Sequence, residues 1–196
     1  MSRHDYLWPA VAALALAILT PVYWLHALAS TGGADLDTYV RAGLGPGDLV
    51  FLLIGALSVY VYLSLKRILA DHQNYHALDV PIAILVGLCV LFYGGVVTLA
   101  GIAAVVPGID LAVALPLLSV LCSVAFGVVD IVIAALLLRD RDELPQLLLA
   151  FAIVNLIVGL LELTVVLAFA AVVVLPIAVL ILAAHFLREP EVIEIV

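Results

Sequence analysis

Two acidic residues, Asp130 and Glu162, lie inside long apolar runs of the sequence, where a charged side chain is energetically costly. The same two runs also contain the uncharged polar residues Ser123 and Asn155. Carboxyl, amide and hydroxyl groups among apolar side chains are groups that can bind a cation or relay a proton within a membrane. These four residues are therefore a candidate ion or proton path.

The spacing of these residues predicts how two helices pack. Each run carries a small or polar residue, a glycine and a further polar residue at heptad spacing: Ser123, Gly127 and Asp130, then Asn155, Gly159 and Glu162. Residues three and four apart share one helical face. Because a short loop centred on Asp142 and Glu143 joins the runs, the helices are predicted to be antiparallel neighbours. Three pairs are then predicted to lie at the same height along the two helices: Asp130 with Asn155, Gly127 with Gly159, and Ser123 with Glu162.

A third apolar run carries Gly87, Gly94 and Gly101, again seven residues apart. Small residues on one face allow helix backbones to approach closely in a membrane. Together with Gly127 and Gly159, these residues predict that the third, fourth and fifth helices form the tightest part of the protein, with a polar stripe through it.

Two explanations of the polar stripe remain open. Polar groups can hold helices together, although one interhelical hydrogen bond in a membrane contributes only ~0.6 kcal/mol. Alternatively, Glu162 and Asp130 form a proton or cation path, with Glu162 near the outer mouth and Asp130 near the inner one. Their predicted depths differ by roughly 14 Å at the helical rise, so the two carboxyl groups are not expected to share one proton.

The composition of the chain requires a membrane. Of the 196 residues, 67% are hydrophobic and 11% are charged, and the mean hydropathy is +1.37. Soluble domains have about 45–50% apolar and about 25% charged residues. Soluble enzymes and disordered proteins are therefore nearly excluded, and the formal charge of −8 has the wrong sign for nucleic acid. The partner that the sequence requires is a lipid bilayer.

Hydropathy and helix-breaking residues predict six spans. A span needs about 20 apolar residues, and the apolar run 147–187 is twice that length, so it must turn near 164–168. The predicted spans are 7–28, 49–65, 80–106, 111–138, 145–164 and 168–187. The predicted fold is all-α: a single integral membrane domain, 1–196, with six transmembrane helices arranged as three hairpins.

Two segments outside the spans carry their own predictions. The outer loop 29–48 has apolar residues at helical spacing (Leu36, Tyr39, Val40 and Leu44), which predicts a short interfacial helix on the outer membrane surface. Residues 189–196 are predicted to form a short cytoplasmic tail.

Basic residues predict the orientation. With six spans and both termini inside, the cytoplasmic side receives Arg3, Lys66, Arg67, Arg139, Arg141 and Arg188, and only Arg41 lies outside. The compact loops favour a prokaryotic inner or plasma membrane. In an alternative reading, residues 1–29 are a cleaved signal peptide, which would leave five spans and the same cytoplasmic end.

His72 and His76 in the inner loop 68–79 are a weak candidate for a metal site, because histidines four residues apart share one helical face. Without a clear third ligand, the sequence predicts no metal and no cofactor.

Three classes of function remain. The sequence favours a non-enzymatic subunit or accessory protein of a larger membrane assembly, whose partners are other membrane subunits or a second copy of the chain. The first alternative is a small transporter or channel coupled to protons or cations through Asp130, Asn155 and Glu162. The second is a lipid-modifying intramembrane enzyme, for which the sequence shows no catalytic constellation.

Overall fold

The computed structural model describes residues 4–31, 45–106, 111–164 and 167–188, and these ranges contain six long helices. In chain order they are α1 His4–Thr31, α2 Pro46–Gln73, α3 Asp79–Val105, α4 Leu111–Arg139, α5 Gln146–Leu163 and α6 Ala168–Leu187. All six are long and apolar enough to cross a membrane, and the described ranges contain no strand. The predicted all-α membrane bundle is confirmed, and the chain is a multi-pass membrane protein.

Two predicted features lie outside the described residues. These are the core of the interfacial helix, at 36–44, and the tail at 189–196. The turn between the last two spans falls between Leu163 and Ala168, which is the interval that the length of the apolar run requires.

The six helices form a closed ring in chain order. Each helix packs against the next one, and α1 packs against α6 to close the ring. The contacts of α4 with α5, of α5 with α6 and of α1 with α6 are the most extensive. Helix α3 contributes least, since no residue of its second half, Gly95–Val105, is buried. The prediction that the third helix belongs to the tightest part is therefore wrong.

Apolar side chains fill the interior of the ring. Large buried side chains from three helices meet there, among them Ile54, Leu65, Ile133, Leu137 and Phe151. Helix α1 contributes mainly small residues, which lets α2 and α6 pack closely on it. The outer faces of the helices are also apolar but exposed, as lipid contact requires. Hydropathy therefore locates the helices, and residue size and polarity determine which face turns inward.

Helix α2 is longer than its predicted span of 49–65. Ile68 and Leu69 continue its buried face beyond the first basic residues, so the helix extends to Gln73. It ends at Asn74, which adopts the left-handed conformation (φ 49°) common at helix C-termini.

A wider helical turn interrupts α3. A π-helical segment, Val90–Gly94, separates two α-helical halves. Such a turn rotates the following residues to another face, so glycines seven apart do not stay on one stripe. At Gly87 and Gly94, an added Cβ atom would meet no heavy atom of the described residues within 4 Å. The prediction of close packing is wrong at both positions, and Gly101 lies in the half of α3 without buried residues.

The close approach of α3 to its neighbour occurs instead at Gly55 of α2. A Cβ atom added at Gly55 would lie 2.6 Å from the ring of Tyr93. The aromatic side chain of α3 therefore fills the space that a side chain on α2 would need.

The α2–α3 and α4–α5 loops lie at the same end of the ring. The hydroxyl of Tyr75 donates to Oδ2 of Asp140 at 2.9 Å and lies 3.2 Å from the carbonyl oxygen of Leu136. The ring of Tyr6, at the start of α1, packs on His72 with 5.3 Å between ring centroids. We call this the basic end, because it carries the basic residues Lys66, Arg67, Arg139, Arg141 and Arg188.

The stability that the hydrogen bond between Tyr75 and Asp140 contributes depends on pH. Burial and the hydrogen bond to Asp140 raise the pKa of Tyr75 to about 12, so the phenol remains a donor at neutral pH. Hydrogen bonds from Arg139 and Tyr75 hold the pKa of Asp140 below its ordinary value. The stability that the Asp140 carboxylate contributes is therefore present above about pH 3.9 and is lost as the pH falls through its lower folded-state pKa.

We expect Tyr75→Phe to lower the free energy of unfolding by about 1 kcal/mol near neutral pH, the usual net contribution of a hydrogen bond. Thermal unfolding in detergent, at about pH 7 and about pH 3, measures this change. The difference from the wild type should shrink at the lower pH. The matched control is Tyr60→Phe, at an exposed position of α2. An equal loss of stability in both variants would contradict the assigned hydrogen bond.

Candidate functional site

Helices α4 and α5 touch through their backbones at Gly127 and Gly159. A Cβ atom added at Gly127 would lie 2.7 Å from the carbonyl oxygen of Gly159, and one added at Gly159 would lie 2.8 Å from the carbonyl oxygen of Gly127. Neither position has room for a side chain. The two glycines meet at the level that the antiparallel register predicts.

Polar side chains join the same two helices on either side of the glycines. Asn155 donates from Nδ2 to the backbone oxygen of Asp130 at 3.0 Å. Ser123 donates from Oγ to the backbone oxygen of Glu162 at 3.2 Å. The predicted pairs are therefore neighbours, but the acceptors in these bonds are backbone carbonyls. Any residue at positions 130 and 162 would supply the same acceptors, so these contacts do not require acidic side chains.

The two carboxyl groups lie inside the ring. Asp130 is only 4% exposed, and its Oδ1 has no hydrogen-bond partner among the described residues. The Asn155 amide also interacts with the Asp130 carboxyl group. The Oε2 atom of Glu162 is likewise buried without a partner in the described part of the chain. The site thus contains two acidic groups whose hydrogen-bonding capacity is not fully used.

The separation of the two acidic residues is shorter than expected. Ser123, which is level with Glu162, precedes Asp130 by seven residues in the same helix. At the helical rise this is about 10 Å along the axis, against roughly 14 Å expected from hydropathy alone. The charge of Asp130 acts on Glu162, although a single hydrogen bond cannot span this distance.

Helices α2 and α3 add polar groups that the sequence analysis missed. Tyr62 is 7% exposed, and its side chain lies in the same part of the ring as those of Asp130 and Glu162. The side chain of Ser58 interacts with Tyr93 and also donates to a backbone carbonyl of its own helix at 2.9 Å. We call the whole set the polar cluster: Ser58, Tyr62, Cys89, Tyr93, Ser123, Asp130, Asn155 and Glu162.

The position of Tyr62 could have been found from its spacing. Tyr62 lies four residues after Ser58 and eight after Ile54, on the face of α2 that is buried. An aromatic residue of a membrane interface would not follow this pattern. The spacing to buried residues is therefore the signal that distinguishes it.

A cavity of about 340 Å³ lies within the ring, in the half away from the basic end. Glu162, Ser123 and Thr20 line it, and Glu162 is the only charged side chain among its described lining residues. The cavity reaches the surface beside Ser119 and Phe169, which are exposed. One carboxyl group of the polar cluster is therefore accessible from that side.

The half of the ring near the basic end is closed by apolar side chains. Beyond Asp130, tightly packed residues of α4, α5 and α6 fill the interior: Ile133, Leu137, Leu148, Phe151, Leu182 and Phe186, each at most 1% exposed. The polar cluster is thus open toward one end and sealed toward the other.

The two histidines of the α2–α3 region do not form the predicted helical pair. Because α2 ends at Gln73, His72 is helical and packs on a tyrosine ring, whereas His76 lies in the loop. The Nδ1 atom of His76 is 3.2 Å from Oδ2 of Asp79. Among the described residues, no group of three or more His, Cys, Asp or Glu side chains is placed to hold a metal ion.

Comparison of the chain with protein-family models, with curated proteins and with solved structures gives no match. The geometry of the polar cluster and its cavity is therefore the basis for assigning a function.

We expect Gly127→Ala to lower the free energy of unfolding by about 1–3 kcal/mol, because the added methyl group would overlap the Gly159 backbone. Thermal unfolding in detergent measures the change. The matched control is Gly87→Ala, where the methyl group meets open space. The control should be neutral or slightly stabilising, since alanine favours helix over glycine by about 1 kcal/mol. Equal effects of the two substitutions would contradict the backbone contact.

Proposed function

We propose that the chain is a small transporter coupled to protons or cations, in which Glu162 and Asp130 bind the transported proton or cation. One observation carries the proposal. Both acidic side chains lie inside the ring, and Ser123 and Asn155 donate to their backbone oxygens. Each carboxyl group also keeps one buried oxygen without a partner among the described residues. A purely structural role, in which polar groups hold the helices together, accounts for Asn155 and Ser123. It does not account for the two carboxyl groups.

The energies of the alternatives support this view. An aspartate at the centre of a membrane helix costs about 2.5–3.5 kcal/mol on insertion scales. An interhelical hydrogen bond recovers ~0.6 kcal/mol on average. A purely structural role would therefore be served better by serine or asparagine. Binding of a proton or a cation neutralises the carboxyl group and offsets its cost.

The arrangement of the cluster supports a stepwise path. A cation or proton enters the cavity and reaches Glu162 first, since this residue lines the cavity. The hydroxyl group of Tyr62, a buried side chain of α2, is the group we propose for the interval between Glu162 and Asp130. Transfer to the basic end then requires the apolar layer around Phe151 and Phe186 to open. The closed layer corresponds to one of the two states that alternating access needs.

Prolines within the helices supply sites at which such a change can occur. Three helices that line the cavity each contain an internal proline in the same half of the ring: Pro21 in α1, Pro116 in α4 and Pro176 in α6. An internal proline removes a helical hydrogen bond and favours a kink. By the positive-inside rule we also propose that the basic end is cytoplasmic, in a prokaryotic inner or plasma membrane. The cavity then opens outward.

A subunit or accessory role is the second candidate. The observation in its favour is the exposed face of α3: a Cβ atom added at Gly87 would meet no heavy atom of the described residues within 4 Å, and no residue of the half Gly95–Val105 is buried. A helix of another subunit can pack on such a face as well as lipid can. Extraction in a mild detergent should then recover a constant partner, whereas a monomer that purifies alone would contradict this role.

Proton and sodium uptake by proteoliposomes tests the transport proposal. Potassium-loaded vesicles with valinomycin provide an inside-negative potential, and entrapped pH-sensitive or sodium-sensitive dyes report entry. We expect the wild type to take up protons or sodium faster than protein-free vesicles. Asp130→Asn and Glu162→Gln should reduce uptake to the protein-free rate, because neither amide can exchange a proton or neutralise a cation.

The matched controls are Asp142→Asn and Glu143→Gln, which make the same chemical changes in the exposed α4–α5 loop. Both should retain the wild-type rate. Size-exclusion elution and thermal unfolding of all variants establish that they are folded. Uptake by the two site variants at the wild-type rate, or no uptake by the wild type, would contradict the proposal.

A further inference from the structure

We infer that the cavity binds an organic cation with one or two aromatic rings, and that Glu162 is its counter-ion. The inference rests on the proposed transport function, because it names the substrate class of the same site. Three properties of the cavity lead to it: the charge of its lining, its aromatic rings and its volume.

The charge of the lining favours a cation. Glu162 is the only charged side chain among the described residues that line the cavity, and its Oε2 atom is buried without a partner there. A carboxylate in an apolar surrounding either takes up a proton or pairs with a positive charge. An anionic ligand would be repelled, and a neutral one would leave the carboxyl group unpaired.

The aromatic rings favour an organic cation over an inorganic one. Five rings line the cavity: Trp24, Phe92, Tyr93, Phe126 and Phe169. Phe92 meets Tyr93 and Phe126 edge to face, with ring centroids 5.2 and 6.2 Å apart, and these contacts fix the ring orientations. The faces of aromatic rings attract organic ammonium groups, which lose little hydration on binding. A metal ion would instead need a shell of oxygen or nitrogen ligands.

The volume sets the size of the ligand. The cavity of about 340 Å³ is more than twice the roughly 150 Å³ of an engineered apolar cavity that binds benzene. It therefore accommodates an ammonium group together with one or two rings. Aliphatic side chains, among them Val172 and Leu175, complete the lining and suit the apolar part of such a ligand.

The chain offers a direct optical probe of this binding. It contains two tryptophans, of which Trp24 lines the cavity and Trp8 is 65% exposed elsewhere on α1. In a Trp8→Phe protein, Trp24 is the only tryptophan. Titration of this protein in detergent with benzyltrimethylammonium should change Trp24 fluorescence in a saturable manner. Neopentylbenzene has the same shape without the charge. Its affinity should be lower than that of the cation by a factor of about ten or more.

Two test substitutions and one control substitution in the Trp8→Phe background complete the test. Glu162→Gln should abolish saturable binding of the cation, whereas Asp142→Asn, in a loop at the basic end with a side chain 93% exposed, should leave it unchanged. Phe126→Leu should weaken binding of the cation and leave that of neopentylbenzene unaffected, because it removes a ring but keeps an apolar side chain. This second variant keeps the inference testable if Glu162→Gln does not fold.

The outcomes separate this inference from the transport proposal. Equal binding of the charged and neutral compounds, or cation binding that survives Glu162→Gln, would overturn the inference. If uptake by vesicles depends on Glu162 but the cation does not bind, the inference fails and transport stands. If the cation binds through Glu162 but vesicles show no uptake, the inference stands and transport fails.

Discussion

Backbone contact between α4 and α5 at Gly127 and Gly159 is the constraint on which the rest of the site depends. Within lipid no hydrophobic effect drives helices together, so close approach and hydrogen bonds must hold them. The two glycines permit that approach and fix the register, and the register places Asn155 and Ser123 against backbone carbonyls of the neighbouring helix. The hydrogen bonds between the helices are then made by residues without charge. The two carboxyl groups on the same stripe are left inside the ring, available to bind a ligand or a proton.

Acidic residues are paired differently at the basic end and inside the ring. At the basic end, ion pairs such as Lys66 with Asp79, at 3.4 Å, lie where water screens them and contribute little to stability. Inside the ring, neither Asp130 nor Glu162 forms an ion pair with a basic side chain of the described residues. Acidic residues are thus paired where pairing matters least and unpaired where a charge is most costly. A packed apolar layer at one end and a cavity at the other make Glu162 accessible from a single side, while Asp130 stays buried.

The parts of the structure that could be predicted from sequence are those set by local regularity. Six helices follow from hydropathy, and the α4–α5 register follows from heptad spacing because both helices are regular there and their loop is short. Helix α3 was predicted wrongly because its π-helical segment changes the helical phase at Val90–Gly94, so heptad spacing no longer defines one face. Tyr62 was missed because the predicted second span ended too early, which placed this residue near the membrane boundary. The cavity could not be predicted, since it depends on how side chains from five helices fit together.

Disulfide formation between α4 and α5 tests the central claim most directly. Ala134 and Ala152 are both fully buried and level in the register that the glycines define, whereas Ala135 is exposed on the other face of α4. In a chain with Cys89 and Cys122 replaced by alanine, mild oxidation of the Ala134→Cys, Ala152→Cys double variant should form a disulfide, which requires Cα atoms about 4.4–6.8 Å apart. After oxidation and denaturation, failure of both thiols to react with a maleimide reagent reports the bond. The account predicts a bond in this pair and none in Ala135→Cys, Ala152→Cys; free thiols in the first pair and a bond in the second would contradict it.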